Sequence, residues 1–440
     1  MTFNPNSLKS IDLMLKELNL EDFNSLFNFI PKELLFKDKF NISDSISEFD
    51  ISNELKKMSL DNKVDKKIYF TGKGIYDHFI PSVVDFISMR SEFYTAYTPY
   101  QPEVSQGTLQ CLYEYQTMIC ELSGMDVSNA SIYDGASALY EACILSFNYN
   151  KKTKILVSSA VYENYLDVIL TLKDNLNIDI ELLPLKDGIT DLNNINQIDD
   201  VSAIIIQSPN KYGILESWID VSKLTKNSKT TLIAVSNPLS LALIESPGNS
   251  GADIYIGDGQ VLGNYMNYGG PTLGIMSVKK QFIRKIPGRV IGRTVDKKGR
   301  EGFVLTLQTR EQHIRRENAT SNICTNQSLL ALRSLIYLSS IGKNGILDII
   351  KLSFNKTQYL ISEISKIDGF RIPFKANIIN EFLLDSDYDI LELINKAREN
   401  NIYLSQNTYN NKKLIQIAVT EKRTLSELNN LINFFKNYNA

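Results

Sequence analysis

Aromatic side chains with polar heads concentrate between Ser91 and Met125, in the stretch SEFYTAYTPYQPEVSQGTLQCLYEYQTMICELSGM. Two prolines interrupt its first part, and a helical pattern begins near Ser105. Such residues suit a pocket wall or a protein interface, because each has an apolar body and a hydrogen-bonding end. The alternative is an ordered loop that only caps the following helix. The candidates are Tyr97, Tyr100, Gln101, Glu103, Gln106 and Thr108.

A second cluster lies between Gln308 and Gln327, in QTREQHIRRENATSNICTNQ. Arg310 and His313 are its binding candidates, because a guanidinium group can grip a carboxylate with two parallel hydrogen bonds. The alternative is an ion-pair network that fixes the neighbouring helix, and this is the favoured interpretation of Arg315 and Arg316.

Three further polar residues stand in short motifs. In GKGIYDHFIP, Asp77 precedes His78, which could orient a partner group or serve as a structural donor. In QSPNKYGILE, Asn210 follows the end of a predicted strand, where ligands bind in open α/β sheets.

Composition limits the classes of function. The 440 residues are 43% hydrophobic and 22% charged, as in globular proteins. A net charge of −3 argues against nucleic-acid or membrane-surface binding. The four cysteines (Cys111, Cys120, Cys143 and Cys324) form no CxxC pair, and there are two histidines, so we expect no disulfide framework and no metal site. With no signal-like N-terminus and no membrane-spanning run, we expect a soluble, cytoplasmic protein.

The elements that position these residues fall into three predicted regions. Residues 1–68 show helical spacing of apolar residues and predict a helical arm, with Ser7, Ser10 and Ser43 as N-caps. Residues 69–325 hold four apolar bursts that predict parallel strands buried on both faces, and a further antiparallel strand is expected at 273–278. Residues 326–440 predict a long connecting helix and a small α+β domain. The four bursts are 154–157, 203–206, 231–235 and 253–256.

This architecture is common among enzymes that use pyridoxal phosphate (PLP), which need a Schiff-base lysine, a carboxylate for the pyridine nitrogen and a phosphate site. The turn Gly135, Ala136 and Ser137 opens a predicted helix, so its N–H groups could cradle an anion. The alternative is a tight helix start needed only for packing.

The other two parts of this set are altered. Asn237 follows the third strand, where a carboxylate would be expected, and an amide cannot hold the ring proton in the same way. The segment from Ile254 to Pro271 contains no lysine, and the next ones are Lys279 and Lys280. The sequence therefore predicts the scaffold of a PLP enzyme without the lysine that would bind the cofactor.

Long ordered motifs along the whole chain resemble subunit 1 of the two-subunit glycine dehydrogenase (decarboxylating), the P-protein of the glycine cleavage system. Besides the motifs already quoted, they are GDGQVLGNYMNYGGPTLG, IPGRVIGRTVD and VTEKRTLSELNNL. The resemblance implies an α/β fold of the aspartate aminotransferase-like type (fold type I).

The resemblance also implies that this chain carries no cofactor and that PLP is bound by subunit 2. Gln260 and Val261 would correspond to the lysine position of that partner, and Asn237 stands where subunit 1 usually has aspartate. The implied reaction is glycine decarboxylation, with release of CO₂ and transfer of the aminomethyl group to the lipoyl group of H-protein. The implied assembly holds two copies of each subunit.

Two other functions stay open on the sequence alone. One is a self-sufficient PLP decarboxylase or aminotransferase that uses another lysine. The other is a structural or regulatory pseudoenzyme that only stabilises a partner.

Overall fold

The computed structural model describes residues 6–36, 40–171, 173–195, 197–323 and 326–438. The chain divides into two units, Met1–Asp65 and Lys66–Ala440. The predicted end of the helical arm lies close to this division. The predicted boundary between residues 325 and 326 falls inside the second unit and stays a prediction. Cys324 lies outside the described residues.

The described residues of the first unit form two α-helices, α1 (Leu8–Glu17) and α2 (Glu48–Asp61). Ser7 caps α1 as predicted, since its hydroxyl accepts the Ser10 N–H at 3.2 Å. The predictions of caps at Ser10 and Ser43 are wrong. Ser10 lies inside α1, and α2 begins only after Ser47, whose hydroxyl accepts the Asp50 N–H at 3.1 Å.

The second unit contains the remaining elements. Its helices are α3 Ser82–Ser88, α4 Ser91–Tyr94, α5 Gln106–Ser123, α6 Gly135–Asn150, α7 Glu163–Leu170, α8 Lys173–Leu176, α9 Trp218–Thr225, α10 Gln312–Arg315, α11 Ser328–Ile364, α12 Ile390–Glu399 and α13 Leu425–Tyr438. Its strands are β1 Ile68–Tyr69, β2 Val127–Ser128, β3 Lys154–Ser158, β4 Asp179–Leu183, β5 Leu185–Lys186, β6 Ile189–Thr190, β7 Val201–Gln207, β8 Thr231–Val235, β9 Ile254–Asp258, β10 Gly274–Val278, β11 Val290–Val295, β12 Glu301–Thr306, β13 Phe370–Arg371, β14 Glu381–Ser386, β15 Ile402–Tyr403, β16 Ser405–Tyr409 and β17 Lys412–Ala418.

A seven-stranded sheet in the order β2-β10-β9-β8-β7-β3-β4 forms the centre of this unit. The four predicted parallel strands are confirmed as β3, β7, β8 and β9, and β10 pairs antiparallel with β9 as expected. Sequence reasoning missed β4, because this edge strand mixes exposed and buried residues and gives no continuous apolar run.

Both faces of the sheet are buried. Strand β7 shows this, because successive side chains of a strand point to opposite faces. Ile204 and Ile206 of β7 pack in one core with apolar residues of α5 and α11. Ile205, between them, packs in a second core with residues of α6 and α7. The mainly parallel sheet with helices on both faces confirms the predicted fold class.

A smaller four-stranded antiparallel sheet, in the order β13-β14-β17-β16, follows α11. Residues of α11, α12 and α13 form one core with it, so the predicted α+β arrangement is confirmed. Sequence reasoning missed β16, which reads SQNTY and lacks an apolar pattern. Within α11, Gly342 adopts φ 62°, a left-handed conformation that favours glycine, and separates two helical stretches where the sequence predicted one long connecting helix.

Candidate functional site

A cavity of about 330 Å³ lies over the first turn of α6; we call it the α6 cavity. Gly135 and Ala136 line it as the start of α6, and Asp258 lines it as the last residue of β9. Because ligands bind at the carboxyl ends of parallel strands in open α/β sheets, this is the expected place for a site. Lys73 and Tyr165 contribute to the same wall.

The Asp258 carboxylate bonds directly to the start of α6. Its Oδ2 accepts the Gly135 N–H at 3.0 Å and the Thr272 hydroxyl at 2.7 Å, and its Oδ1 accepts the Gln260 N–H at 2.9 Å. Burial raises the pKa of Asp258 to about 6, so the group is ionised at neutral pH. The Ser137 N–H is taken by a second carboxylate, since it donates to Asp134 Oδ1 at 2.7 Å.

Gln260 lies outside the α6 cavity, although its backbone bonds to Asp258. Its buried side-chain amide accepts the Tyr76 N–H at 2.8 Å and donates to the carbonyl oxygens of Tyr76 at 3.0 Å and Asn264 at 2.9 Å. The residue at the implied lysine position therefore holds the backbone of another segment. Val261, beside it, is buried in the core.

The Asn237 side chain also forms a hydrogen bond with the backbone. It precedes a 3₁₀ helix, Pro238–Ala242, and its Oδ1 accepts the Leu239 N–H at 3.0 Å. Asn237 is not among the residues that line the α6 cavity.

His78 and Asp77 have structural partners. His78 Nε2 accepts the Gly263 N–H at 3.2 Å, and burial lowers the pKa of His78 to about 4, so the ring is neutral. The Asp77 carboxylate pairs with Lys422 Nζ and with Arg423 Nη2, each at 2.6 Å. This segment thereby ties the N-terminal part of the second unit to the loop after β17.

Asn210 holds the loop after β7. Its Nδ2 donates to the Gly188 carbonyl and to Glu216 Oε1, both at 2.8 Å. Its Oδ1 accepts the N–H groups of Tyr212 at 3.0 Å and Ile214 at 3.2 Å. These four hydrogen bonds use the side-chain amide of Asn210 to stabilise the loop.

We call residues 97–108, which end in the first turn of α5, the tyrosine loop; part of this segment borders a second cavity of about 270 Å³. Tyr97 and Thr108 line it, and Tyr97 is 81% exposed. Arg289, which is buried in the same wall, donates from Nη2 to the Tyr100 hydroxyl at 3.2 Å, and its guanidinium lies 5.4 Å from the ring centroid. The His313 ring stands edge-on to Tyr100 at 6.0 Å, so the two predicted clusters meet here.

Gln106 anchors the tyrosine loop to the hairpin β11–β12. Its Nε2 donates to the carbonyls of Pro102 and Phe303, both at 2.8 Å, and its Oε1 accepts the Phe303 N–H at 2.9 Å. Gln101 and Glu103 are exposed.

The Arg310 guanidinium donates two hydrogen bonds to backbone carbonyl groups. Nε donates to the Leu307 carbonyl at 3.0 Å and Nη2 to the Gly288 carbonyl at 2.9 Å. Nη1 is buried without a hydrogen-bond partner among the described residues, and burial lowers the pKa of the group. Arg315 and Arg316 are exposed.

Sequence reasoning missed three residues of these sites. Asp258 is a charged residue at the carboxyl end of a buried strand, and that position was the available signal. Arg289 belongs to the quoted motif IPGRVIGRTVD. Glu381 begins a strand that was predicted from its apolar residues alone, and its buried carboxylate accepts the Tyr76 hydroxyl at 2.7 Å.

Among the described residues, no group of three or more His, Cys, Asp or Glu side chains could hold a metal ion. In the same part of the chain, no helix is long and apolar enough to cross a membrane.

The model of the glycine cleavage system P-protein family matches residues 2–435. A probable glycine dehydrogenase (decarboxylating) subunit 1 from Chloroherpeton thalassium is 43% identical over 99% of this chain and 99% of its own length. A solved structure of glycine decarboxylase (P-protein) of the glycine cleavage system, in inhibitor-bound form, is 36% identical, covers 99% of this chain and 100% of that chain, and superposes with a TM-score of 0.90.

This chain belongs to the glycine cleavage system P-protein family. The resemblance predicted from its motifs is therefore confirmed. A more distant likeness, to the glutamate decarboxylase of Lactobacillus brevis, has 12% identity and a TM-score of 0.68 over 92% of this chain and 95% of that chain, and it shows the fold alone.

The α6 cavity of this family member does not fit PLP. The Gly135 and Ser137 N–H groups, which would bind its phosphate, already donate to carboxylates. A phosphate bound beside these N–H groups would be repelled by the negative charge of Asp258. No lysine occurs between Ile254 and Pro271, and Asn237 caps a helix.

Proposed function

We propose that this chain is the subunit of a two-subunit glycine-cleavage P-protein that carries no PLP. It assembles with a PLP-bearing subunit 2, two copies of each, and is inactive alone. The observation that carries this proposal is its 43% identity, end to end, with a relative named subunit 1, a name that implies a second subunit.

The proposed complex decarboxylates glycine and transfers the remaining aminomethyl group to the lipoyl group of H-protein. The bond between the glycine α-carbon and its carboxylate breaks and CO₂ leaves. A bond then forms between that carbon and one sulfur of the lipoyl disulfide. The disulfide is reduced in the same transfer, since its second sulfur leaves as a thiol with a proton.

The composition of the α6 cavity supports the assignment of PLP to the partner. The cavity presents two of this chain's own carboxylates at the helix start, and a cofactor phosphate would have to displace them. The chemistry supplied by PLP, an electron sink for the departing CO₂, therefore belongs to subunit 2 in this proposal.

The tyrosine loop is this chain's proposed contribution to the active-site wall or to the channel for the lipoyl arm. Tyr97 is 81% exposed, so its ring and hydroxyl are available to a second protein. Gln106 holds the loop on the hairpin β11–β12, which presents Tyr97 from a fixed position. Arg289 and His313 lie beside Tyr100, and with Arg310 they add positive charge or donors for a carboxylate such as that of glycine.

The test uses this chain assembled with subunit 2 and H-protein. Tyr97→Phe and Gln101→Ala should each lower glycine–bicarbonate exchange about tenfold while the complex elutes at an unchanged size. The controls are Tyr359→Phe, which removes a hydroxyl from α11, and Gln110→Ala, which removes an exposed amide from α5. Full exchange in both loop variants would refute the role of the loop.

A self-sufficient PLP enzyme would need a lysine at the α6 cavity. Lys73 lines that cavity, but its Nζ lies 3.3 Å from Glu163 Oε2 in an ion pair. Purified alone, incubated with PLP and reduced with borohydride, the chain should keep its unmodified mass. A stoichiometric pyridoxyl adduct on one lysine would instead favour the self-sufficient enzyme.

A further inference from the structure

The α6 cavity contains an anion that the chain itself supplies. We infer that the Asp258 carboxylate permanently replaces a phosphate group at the N-terminus of α6, so that this chain completes its fold without a phosphate-bearing ligand and excludes one. The inference goes beyond the proposed function, because it concerns the folded chain by itself and holds whatever reaction the complex catalyses.

The donors around Asp258 are of the types that bind phosphate. A backbone N–H at the start of a 16-residue helix, a hydroxyl and a second backbone N–H converge on the two carboxylate oxygens, from Gly135, Thr272 and Gln260. Helix N-termini bind anions because their N–H groups lack partners and the helix dipole favours negative charge. Here the carboxylate satisfies both requirements from within the chain.

Side chains pack closely against the start of α6 at Gly135, although the α6 cavity beside it has a volume of about 330 Å³. A β-carbon placed on Gly135 would lie 1.8 Å from the Tyr165 hydroxyl and 3.2 Å from Cβ of Asp258, so both side chains pack against the helix start. Asp134 adds a second negative group, which accepts the Ser137 N–H. A phosphate at this position would face two carboxylates and would have to displace Asp258 from its three donors.

The charge of Asp258 fits this role. Burial raises its pKa to about 6, and its three hydrogen bonds favour the ionised form. At neutral pH the site therefore holds a negative charge without any ligand.

The main experiment compares the full wild-type chain with Asp258→Ser, which removes both the charge and the volume of the carboxylate but keeps a short polar side chain. Thermal unfolding is followed while inorganic phosphate replaces chloride at constant ionic strength. The Tm of the wild type should not change, whereas the Tm of Asp258→Ser should rise with phosphate and saturate. Asp258→Asn, which keeps the volume, is the matched control and should respond as the wild type does.

A second measurement needs no variant, in case Asp258→Ser does not fold. The wild-type chain is titrated with pyridoxal 5′-phosphate and with pyridoxal, which differ by the phosphate group. We expect equal affinities for the two compounds, because the Asp258 carboxylate already occupies the phosphate position. A phosphorylated form that binds tenfold more tightly or better would overturn the inference, since it would reveal an open phosphate site. So would a folded Asp258→Ser variant with a phosphate-independent Tm.

Neither measurement uses the partner subunit or glycine. An open phosphate site here would remove the support that the α6 cavity gives to PLP being bound by the partner, but it would not change the exchange activity of the complex. A loss of the proposed role, measured by that exchange, would leave these results unaffected.

Discussion

The Tyr76 hydroxyl donates a 2.7 Å hydrogen bond to Glu381, which joins two segments more than three hundred residues apart in sequence. The other oxygen of this buried carboxylate accepts the Lys73 N–H at 2.8 Å and the Gln416 amide at 2.6 Å. Glu381 belongs to β14 of the small sheet, and Lys73 lines the α6 cavity. One carboxylate thus positions the wall of the cavity relative to the small sheet.

This relationship predicts a pH dependence of stability. Burial raises the pKa of Glu381 from 4.5 to about 7. The folded state then binds more protons than the unfolded state between those values, so the free energy of unfolding falls as pH rises from 4.5 to 7. Glu381→Gln removes this contribution, and relative to the wild type it should gain about 3 kcal/mol between pH 4.5 and pH 8.

Urea unfolding of both proteins at those two pH values measures the difference. The glutamine can still accept the Lys73 N–H, and its amide can donate to the Tyr76 hydroxyl. Parallel stability curves for wild type and variant would show that Glu381 has an ordinary pKa in the folded chain.

The ion pairs of Asp77 give a second prediction. Arg423 is 3% exposed at its side chain and depends on Asp77 and Glu427 for compensation of its charge. Asp77→Ala should lower the free energy of unfolding by about 3–5 kcal/mol, because it leaves a buried guanidinium short of a partner. Denaturant unfolding tests this, with Asp220→Ala as control, since Asp220 pairs with Lys223 on the surface. A cost below about 1 kcal/mol would contradict a structural role for Asp77.

Much of the fold could be predicted from the sequence, because buried parallel strands leave continuous apolar runs. Ile204, Ile205 and Ile206 mark β7 whichever face each one points to. The edge strand β4 and the polar strand β16 could not be found in this way. Their strand character comes from pairing with neighbours that the sequence does not specify.

The candidate site was less accessible to sequence reasoning. Gly135 was recognised as the start of a helix that could bind an anion, but its partner Asp258 lies 123 residues later in the chain. Side-chain roles such as the bond between Gln260 and Tyr76 depend on which loops meet across the sheet edge. No periodicity or spacing in the sequence encodes that meeting.

Gln106 provides a third prediction. Its side chain satisfies both the N–H and the carbonyl of Phe303, a buried residue. Gln106→Ala should cost about 1–3 kcal/mol of unfolding free energy, because these backbone groups lose their partner. Gln110→Ala is the matched control on the same helix, and it should change stability by less than about 0.5 kcal/mol, since Gln110 bonds to the exposed Glu114. Equal effects of the two substitutions would exclude an anchoring role for Gln106.

The final prediction concerns the position that corresponds to the partner's lysine. Gln260 uses its oxygen to accept the Tyr76 N–H and its nitrogen to donate to the carbonyls of Tyr76 and Asn264, all of them buried. Lysine cannot accept a hydrogen bond, so Gln260→Lys leaves the Tyr76 N–H without a partner and buries an ammonium group. The variant should lose about 3 kcal/mol or more of unfolding free energy.

Incubated with PLP and reduced with borohydride, Gln260→Lys should still show no stoichiometric adduct at this position. The side chain at 260 borders the cavity of Tyr76 and His78 rather than the α6 cavity, and Asp258 keeps its place at the helix start. Gln260→Met, similar in length and without charge, separates the lost hydrogen bonds from the buried ammonium. A pyridoxyl adduct on the new lysine would contradict this geometry, because it would mean that one substitution restores a cofactor site.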